Sequence, residues 1–312
     1  MQDAEGIPEY RLNLFYNRKI DALISKGHDD DSLVIFEIFV EGQEDVEFYK
    51  EWIDKSGIEK NNDKLSIKIM EAKLEEGLKP KGGSSSIVRK LAERYSTVPS
   101  RAYVTDRDLF SSDELKVYDN SDNLFFTDFP AIESYSFLPE ILEEINSRRY
   151  GGKLKNISQG YDLAIDFLRI LYILRLYYYR ESISPQKCIN ELIIKLQEYT
   201  KKGSLMSYDN FLDDIYRTLP DSIEIEVKSI SSECDPRVYA YGHDIAKVIK
   251  AIIHSEESSI SNRYPAHKHA HLERAMTEYY IKQDMYKNDK MFQRIEEYIL
   301  KYVSLSRNMI LL

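Results

Sequence analysis

Val-Glu-Gly-Gln-Glu-Asp at 40–45 closes the apolar run Val34-Ile35-Phe36-Glu37-Ile38-Phe39-Val40, and Asp106-Arg107-Asp108 follows a second run, Ala102-Tyr103-Val104-Thr105. Both runs have the length and the β-branched and aromatic content of buried strands. Ligands of an α/β sheet gather beyond the carboxyl ends of its strands. Glu41, Asp106 and Asp108 are therefore expected at one edge of one sheet, where their oxygens would suit a hard cation such as Mg²⁺ or Mn²⁺. Gly42 leaves the backbone free to turn behind Glu41. In an extended chain Asp106 and Asp108, two positions apart, face the same way and can share a cation. Taken singly, each feature has a plainer explanation. Glu41 could be a surface residue with Asp45 merely favouring a helix start, and Asp-x-Asp could be turn chemistry. The combination carries the reading.

Working outward, residues 45–54 predict a helix with Val46, Tyr49, Trp52 and Ile53 inward, and 65–70 alternates as a strand. Gly77, Pro80, Gly82 and Gly83 lead into Ser84-Ser85-Ser86 and a helix carrying Ile87, Val88 and Leu91; Leu124–Thr127 is a further strand. Strands alternating with helices predict a parallel sheet. The loop at 82–86 lacks the Gly-Lys-Ser of a P-loop, so the chain is expected to have no nucleotide motor of its own. Gly82, Gly83 and Ser84, with Lys81 and Arg89, read either as a phosphate contact at a helix N-terminus or as a plain loop. Lys79, Lys81, Arg89, Lys90 and Arg94 make one basic patch, and Arg148, Arg149, Lys153 and Lys155 another. Each could equally be a solvated helix face.

The two strand-end motifs and the strand-helix material between them resemble the TOPRIM catalytic domain shared by topoisomerases, bacterial primases and a group of defence nucleases. Thr127-Asp128-Phe129-Pro130-Ala131-Ile132-Glu133-Ser134-Tyr135 is similar to the Thr-Asp-x-x-x-x-Glu-x-Tyr stretch of a TOPRIM family met beside ATPases in bacterial anti-phage defence. That resemblance implies Glu133 as a further metal ligand. Topoisomerases and primases continue the second motif as Asp-x-Asp-x-Asp, whereas here the third position is Phe110. The departure agrees with nucleases of the overcoming-lysogenization type.

The resemblance covers residues 33–137. It implies a Mg²⁺-dependent phosphodiesterase with Glu41, Asp106 and Asp108 catalytic and Glu133 joining them as metal ligand. It further implies a toxic effector that cleaves tRNA when an ABC-type ATPase partner releases it, active as a homodimer. A DNA nuclease and a non-catalytic TOPRIM binding subunit are the alternatives. A primase-type nucleotidyl transferase is disfavoured by Phe110 and by the chain's two cysteines, too few for a zinc module.

The expected organisation is an α/β fold in three parts. These are an N-terminal helix at 1–32, a TOPRIM-like parallel sheet domain flanked by helices at 33–150, and a mostly helical domain at 151–312. Helices are predicted at 161–182, 184–200, 207–217, 243–255, 266–286 and 289–304, and Ile223–Val227 alternates as a short strand near 222–229. Gly242-His243-Asp244 resembles a turn recurring late in the same defence family, read as a helix cap. His267, His269 and His271 lack the Glu partner of a zinc-protease motif.

Composition bounds the rest. With 312 residues, 43% hydrophobic, the chain can bury a core; 31% charged residues and a net charge of −10 disfavour avid nonspecific binding to phosphates. The polar, acidic first ten residues predict no secretory leader, and Asp166, Arg169 and Arg175 interrupt the most apolar stretch, so no membrane span is expected. Cys188 and Cys234 predict no disulfide scaffold, and a cytoplasmic home is expected.

Overall fold

The structure is a computed structural model that describes residues 33–73, 83–201, 208–231, 233–254 and 269–310. The helix expected at 1–32 lies outside these residues, as do Gly77, Lys79, Lys81, Gly82 and His267.

Four strands, β1 (Val34–Val40), β2 (Leu65–Glu71), β3 (Arg101–Thr105) and β4 (Leu124–Phe126), form one sheet in the order β2-β1-β3-β4. All neighbours are parallel, with Val34 opposite Leu65, Phe39 opposite Tyr103 and Thr105 opposite Phe126. Parallel strands need crossovers that cover the sheet. The helices α1 (Gln43–Ser56) and α2 (Ser84–Arg94) supply them, with a one-turn α3 (Ser112–Leu115) before β4. Val34, Phe36, Ile38 and Val40 alternate inward on β1, whereas every residue of the interior strand β3 is buried.

Each face has its own packing. Phe36, Ile38 and Val40 share a cluster with Tyr49 and Trp52 of α1 and with Phe292, Ile295 and Ile299 of the last helix, α11 (Lys290–Ile310). The Trp52 and Phe292 rings lie 5.3 Å apart, and Phe36 meets Tyr298 edge-on at 5.9 Å. On the other face Val88, Leu91 and Ala92 of α2 pack with Tyr103, Leu124 and Ala72. Burying each such aliphatic side chain contributes about 1.5–3 kcal/mol. α1 stops at Gly57, whose φ of +72° suits glycine and lets its N–H reach the carbonyl of Ile53.

After β4 the chain is helical, as expected for the C-terminal region. The helices are α4 (Pro139–Tyr150), α5 (Ile157–Arg180), α6 (Gln186–Lys201), α7 (Tyr208–Tyr216), α8 (Asp221–Lys228), α9 (Gly242–His254) and α10 (His269–Lys282), followed by α11. α4, which the sequence reading does not place, begins at Pro139 and ends at Gly151 with φ +63°. The buried cluster is continuous from the sheet face into α5, α6, α9 and α10, and α11 returns to pack on β1 and β4.

One element corrects the sequence reading. Ile223–Val227 is not a strand near 222–229 but the middle of α8. Its alternation satisfies both periods, because Ile223 and Val227 are also four apart and share a helical face. Ile223 is fully buried, whereas Ile225, which a buried strand face would have enclosed, is 70% exposed. Asp221 and Glu224 in the first turn, Lys228 in the last and the 2.5 Å Lys228–Glu224 pair favour the helix.

Candidate functional site

Glu41 follows β1, Asp106 follows β3, and the structure brings both to the carboxyl edge of the sheet. Glu41 is held on three sides. Its Oε1 accepts from Thr105 Oγ1 at 2.6 Å and from the Asp106 amide at 2.9 Å, and its Oε2 accepts from Ser84 Oγ at 2.9 Å. The end of β3 and the start of α2 therefore fix one carboxylate jointly. Ser84, expected as a phosphate contact or part of a plain loop, reaches the sheet edge. It does so by clamping Glu41, and Gly83 precedes it as the N-cap residue of α2.

Asp108 departs from the extended geometry expected of Asp-x-Asp. Its φ is +53°, in the left-handed region, and its amide donates to the carbonyl of Pro130 at 2.8 Å. Aspartate is among the few non-glycine residues that tolerate this region. The loop after β3 thus folds back toward the segment after β4. Arg107 reinforces the joint, its amide donating to Thr127 Oγ1 at 2.8 Å and its Nη1 to the Asp128 carbonyl at 3.3 Å.

The Thr127–Tyr135 stretch divides its labour. Thr127 donates to the Phe129 carbonyl at 2.6 Å. Asp128 Oδ2 accepts from the Met291 amide at 2.9 Å and the Tyr135 hydroxyl at 3.2 Å, anchoring the start of α11. Glu133, in the 3₁₀ turn Ile132–Ser136, is the acid left to the site. α9 and α10 both pack on that turn.

Electrostatics ties these acids into one cluster and adds a member. Removal from water, then Glu133, Glu41, Asp45 and Asp108 in that order, hold Asp106 well above the usual aspartate range. Burial followed by Glu41 raises Asp108 to about 6. Burial followed by Glu41 and Glu133 raises Asp45 to about 7. Asp45, three residues into the helix that Gly42 opens, is thus more than a helix-start residue, although its Oδ2 also accepts from the Gly42 amide at 3.0 Å. Glu133 is raised as well, by burial and then by Glu273 against a lowering by His243. Among the described residues no ion pair joins Glu41, Asp45, Asp106, Asp108 or Glu133 to a Lys or Arg. These carboxylates raise one another's proton affinity without an ion-paired counter-charge, whereas among the described residues three ligand groups come within 4.8 Å of one another only at Glu133, His243 and Glu273.

A stability signature follows. An acid whose folded value is raised binds a proton more tightly folded than unfolded, so its contribution is complete below the ordinary aspartate value of 3.8 and is lost as pH rises through the folded value. For Asp45 and Asp108 that loss runs from about pH 4 to about 7. Compared with Asp45→Asn, the metal-free wild type should lose melting temperature over this window, and saturating Mg²⁺ should remove the difference. A parallel pair of metal-free curves would contradict the raised value at Asp45.

The Gly242-His243-Asp244 turn gives its two side chains partners beyond a capping role. Asp244 is fully buried and accepts from Arg175 Nε at 2.6 Å and Nη2 at 2.8 Å. The Arg175 guanidinium lies 4.4 Å from the centre of the Tyr241 ring, whose hydroxyl reaches Asp108 Oδ1 at 3.4 Å. His243 Nδ1 stands 3.2 Å from Glu273 Oε1, and the hydrogen bond to Glu273 pushes the imidazole up to about 9.

The basic residues divide. The Arg89 guanidinium stacks over Phe110 at 4.9 Å, and its Nη1 is buried with no hydrogen-bond partner. Its charge works against the upward shift of Asp108. Arg94 lies over Tyr95, and Arg148 over Tyr279 far along the chain. Only the backbone of His269 and His271 is described, as part of α10.

Asp45, Tyr241, His243 and Glu273 are site residues that the sequence reading misses or gives another role. The first had a signal, since it lies one helical turn from Glu41. Glu273 had none, because its approach depends on how α10 packs. No helix among the described residues is long and apolar enough to cross a membrane. No protein-family model matches the chain, and no curated protein is significantly similar to it.

Proposed function

We propose that this chain is a divalent-metal-dependent phosphodiesterase of TOPRIM type, acting on nucleic acid. The observation that carries the reading is that Glu41 and Asp106 follow adjacent parallel strands to the carboxyl edge of the sheet, where the Asp106 amide donates to Glu41 Oε1 at 2.9 Å, with Asp45, Asp108 and Glu133 near enough to disfavour the charge on Asp106.

Glu41, Asp106, Asp108 and Glu133 would hold Mg²⁺ or Mn²⁺, with Asp45 beside them. The ion would supply polarisation of the scissile phosphate and a water acidic enough to attack it. The protein's own part is positional. Thr105, Ser84 and the Asp106 amide keep the Glu41 carboxylate from rotating. Tyr241 holds Asp108 by a hydrogen bond to its Oδ1. The metal-free cluster keeps a proton on Asp45 near neutrality, which cation binding would release.

The choice of tRNA as substrate, an ABC-type ATPase as restraining partner and a homodimer as active form rest on the resemblance of the strand-end motifs and the Thr127–Tyr135 stretch to the defence nucleases. The test is direct. The purified chain, with Mg²⁺ or Mn²⁺, is incubated separately with total tRNA, plasmid and single-stranded DNA beside Glu41→Ala and Asp106→Ala. Cleavage of tRNA alone, lost in both variants, is the expected result, and cleavage of DNA alone would move the substrate to DNA. Inertness of the wild type toward every substrate, with and without the partner ATPase, would overturn the enzymatic reading in favour of a binding subunit.

A further inference from the structure

We infer that Glu133, His243 and Glu273 form a second cation site, distinct in chemistry from the carboxylate cluster and suited to a transition metal such as Mn²⁺, Co²⁺ or Zn²⁺. The inference goes beyond the phosphodiesterase reading and does not depend on it, because it concerns binding alone.

One ligand atom from each of the three residues lies within 4.8 Å of the other two. They come from three elements that the packing brings together, Glu133 from the 3₁₀ turn after β4, His243 from the first turn of α9 and Glu273 from α10. The approach is close. A side-chain carbon added at Gly242 would stand 3.4 Å from Glu133 Oε2 and 3.4 Å from the Ala131 methyl group. The start of α9 thus lies against the Glu133 carboxylate, with the imidazole beside it.

Charge gives an independent argument. The Glu273 side chain is only 8% exposed, and among the described residues its ion-pair partner is the imidazole of His243. Glu133 faces the same imidazole and repels Glu273, and among the described residues neither glutamate is ion-paired to Lys or Arg. Two carboxylates against one imidazole leave a net negative charge even when the imidazole is protonated. A buried carboxylate so underpaired is costly, and a divalent cation offsets the deficit. The nearest lysine on α9, Lys247, lies 3.7 Å from Asp244 and is committed there.

Ligand type then selects the metal. An imidazole with two carboxylates favours borderline transition metals over Mg²⁺, which prefers oxygen. His243 is 67% exposed at its side chain, so an ion could enter from solvent. Glu133 also disfavours the charge on Asp106, so the two groups are electrostatically linked.

The test counts ions. Mn²⁺ is titrated into the chain by calorimetry, with free ion followed by electron paramagnetic resonance, for wild type, His243→Gln, Glu273→Gln and Asp106→Asn. The expected result is an ion in the wild type that both His243→Gln and Glu273→Gln lose and Asp106→Asn retains. Co²⁺ should report the same site by a visible band that moves on loss of the nitrogen ligand. His243→Gln alters an exposed side chain, and circular dichroism confirms that each variant is folded. Equal Mn²⁺ stoichiometry and affinity in wild type and both site variants would overturn the proposal and leave His243–Glu273 as an ion pair only. A chain that holds this ion yet cleaves nothing, with or without the partner ATPase, would retain the site and remove the nuclease reading; cleavage without the ion would do the reverse.

Discussion

Asp106→Asn is expected to abolish cleavage and, at the same time, to make the metal-free protein more stable. The two effects share one cause. Asp106 sits among Glu133, Glu41, Asp45 and Asp108, all of which disfavour its charge, and it has lost most of its hydration. Asparagine keeps the shape and removes the charge, so the repulsion is relieved in the folded state and absent from the unfolded one. A gain of ~1–2 kcal/mol is the scale of such relief at neutral pH, raising Tm by ~2–4 °C per kcal/mol in a chain approaching this size. Cleavage should fall by ~10³-fold or more, because a weakened cation site forfeits several kcal/mol of transition-state stabilisation at ~1.4 kcal/mol per tenfold. Adding Mg²⁺ should raise the Tm of the wild type more than that of Asp106→Asn. A variant that is both inactive and less stable than the wild type without metal would mean that Asp106 holds the fold, and the cluster would lose its reading as a metal centre. Glu41 is the poorer position for this experiment. Its three hydrogen bonds mix a structural loss into any change there.

The sheet was legible because its strands announce themselves twice. Val34–Val40 alternates around a buried face, and Arg101–Thr105 is apolar enough to be enclosed on both sides. Between them the Gly57 stop and the alternation at 65–71 leave little choice but a crossover. The acids were legible for a related reason: a carboxylate directly after a buried strand can only emerge at the sheet's edge. Other features escaped. Asp108 turns left-handed, a conformation that Asp permits but does not announce. Ile223–Val227 fits both a strand and a helix, and the surrounding charges decide. His243 and Glu273 meet Glu133 only through the packing of α9 and α10 on the 3₁₀ turn, and no local spacing encodes a contact between residues that distant. Local pattern thus reads out the sheet and its edge, whereas the helical wall of the site is a product of tertiary packing.

That wall includes a fully buried carboxylate paired with Arg175, and Asp244→Ala should be strongly destabilising. The carboxylate of Asp244 is fully buried and takes two hydrogen bonds from Arg175, whose side chain is only 13% exposed. Removing the acid leaves the guanidinium in low dielectric without a counter-charge and strips Lys247 of its partner 3.7 Å away. Breaking a buried pair from one side costs ~3–5 kcal/mol, a large share of a domain's total stability. Arg175→Met should cost less, since Asp244 keeps Lys247. Replacing both residues together with apolar side chains should recover much of the loss, because neither charge is then stranded. Chemical denaturation of the four proteins measures the cycle. The consequence reaches the site, because Arg175 also stacks on Tyr241 and Tyr241 bonds to Asp108. Asp244→Ala should therefore lower activity even where the chain remains folded, and Tyr241→Phe should reproduce part of that loss with little effect on stability. A loss below ~1 kcal/mol in Asp244→Ala would place the pair among those that orient without stabilising, and the support of Asp108 would then have to come from the loop between Asp106 and Pro130 alone.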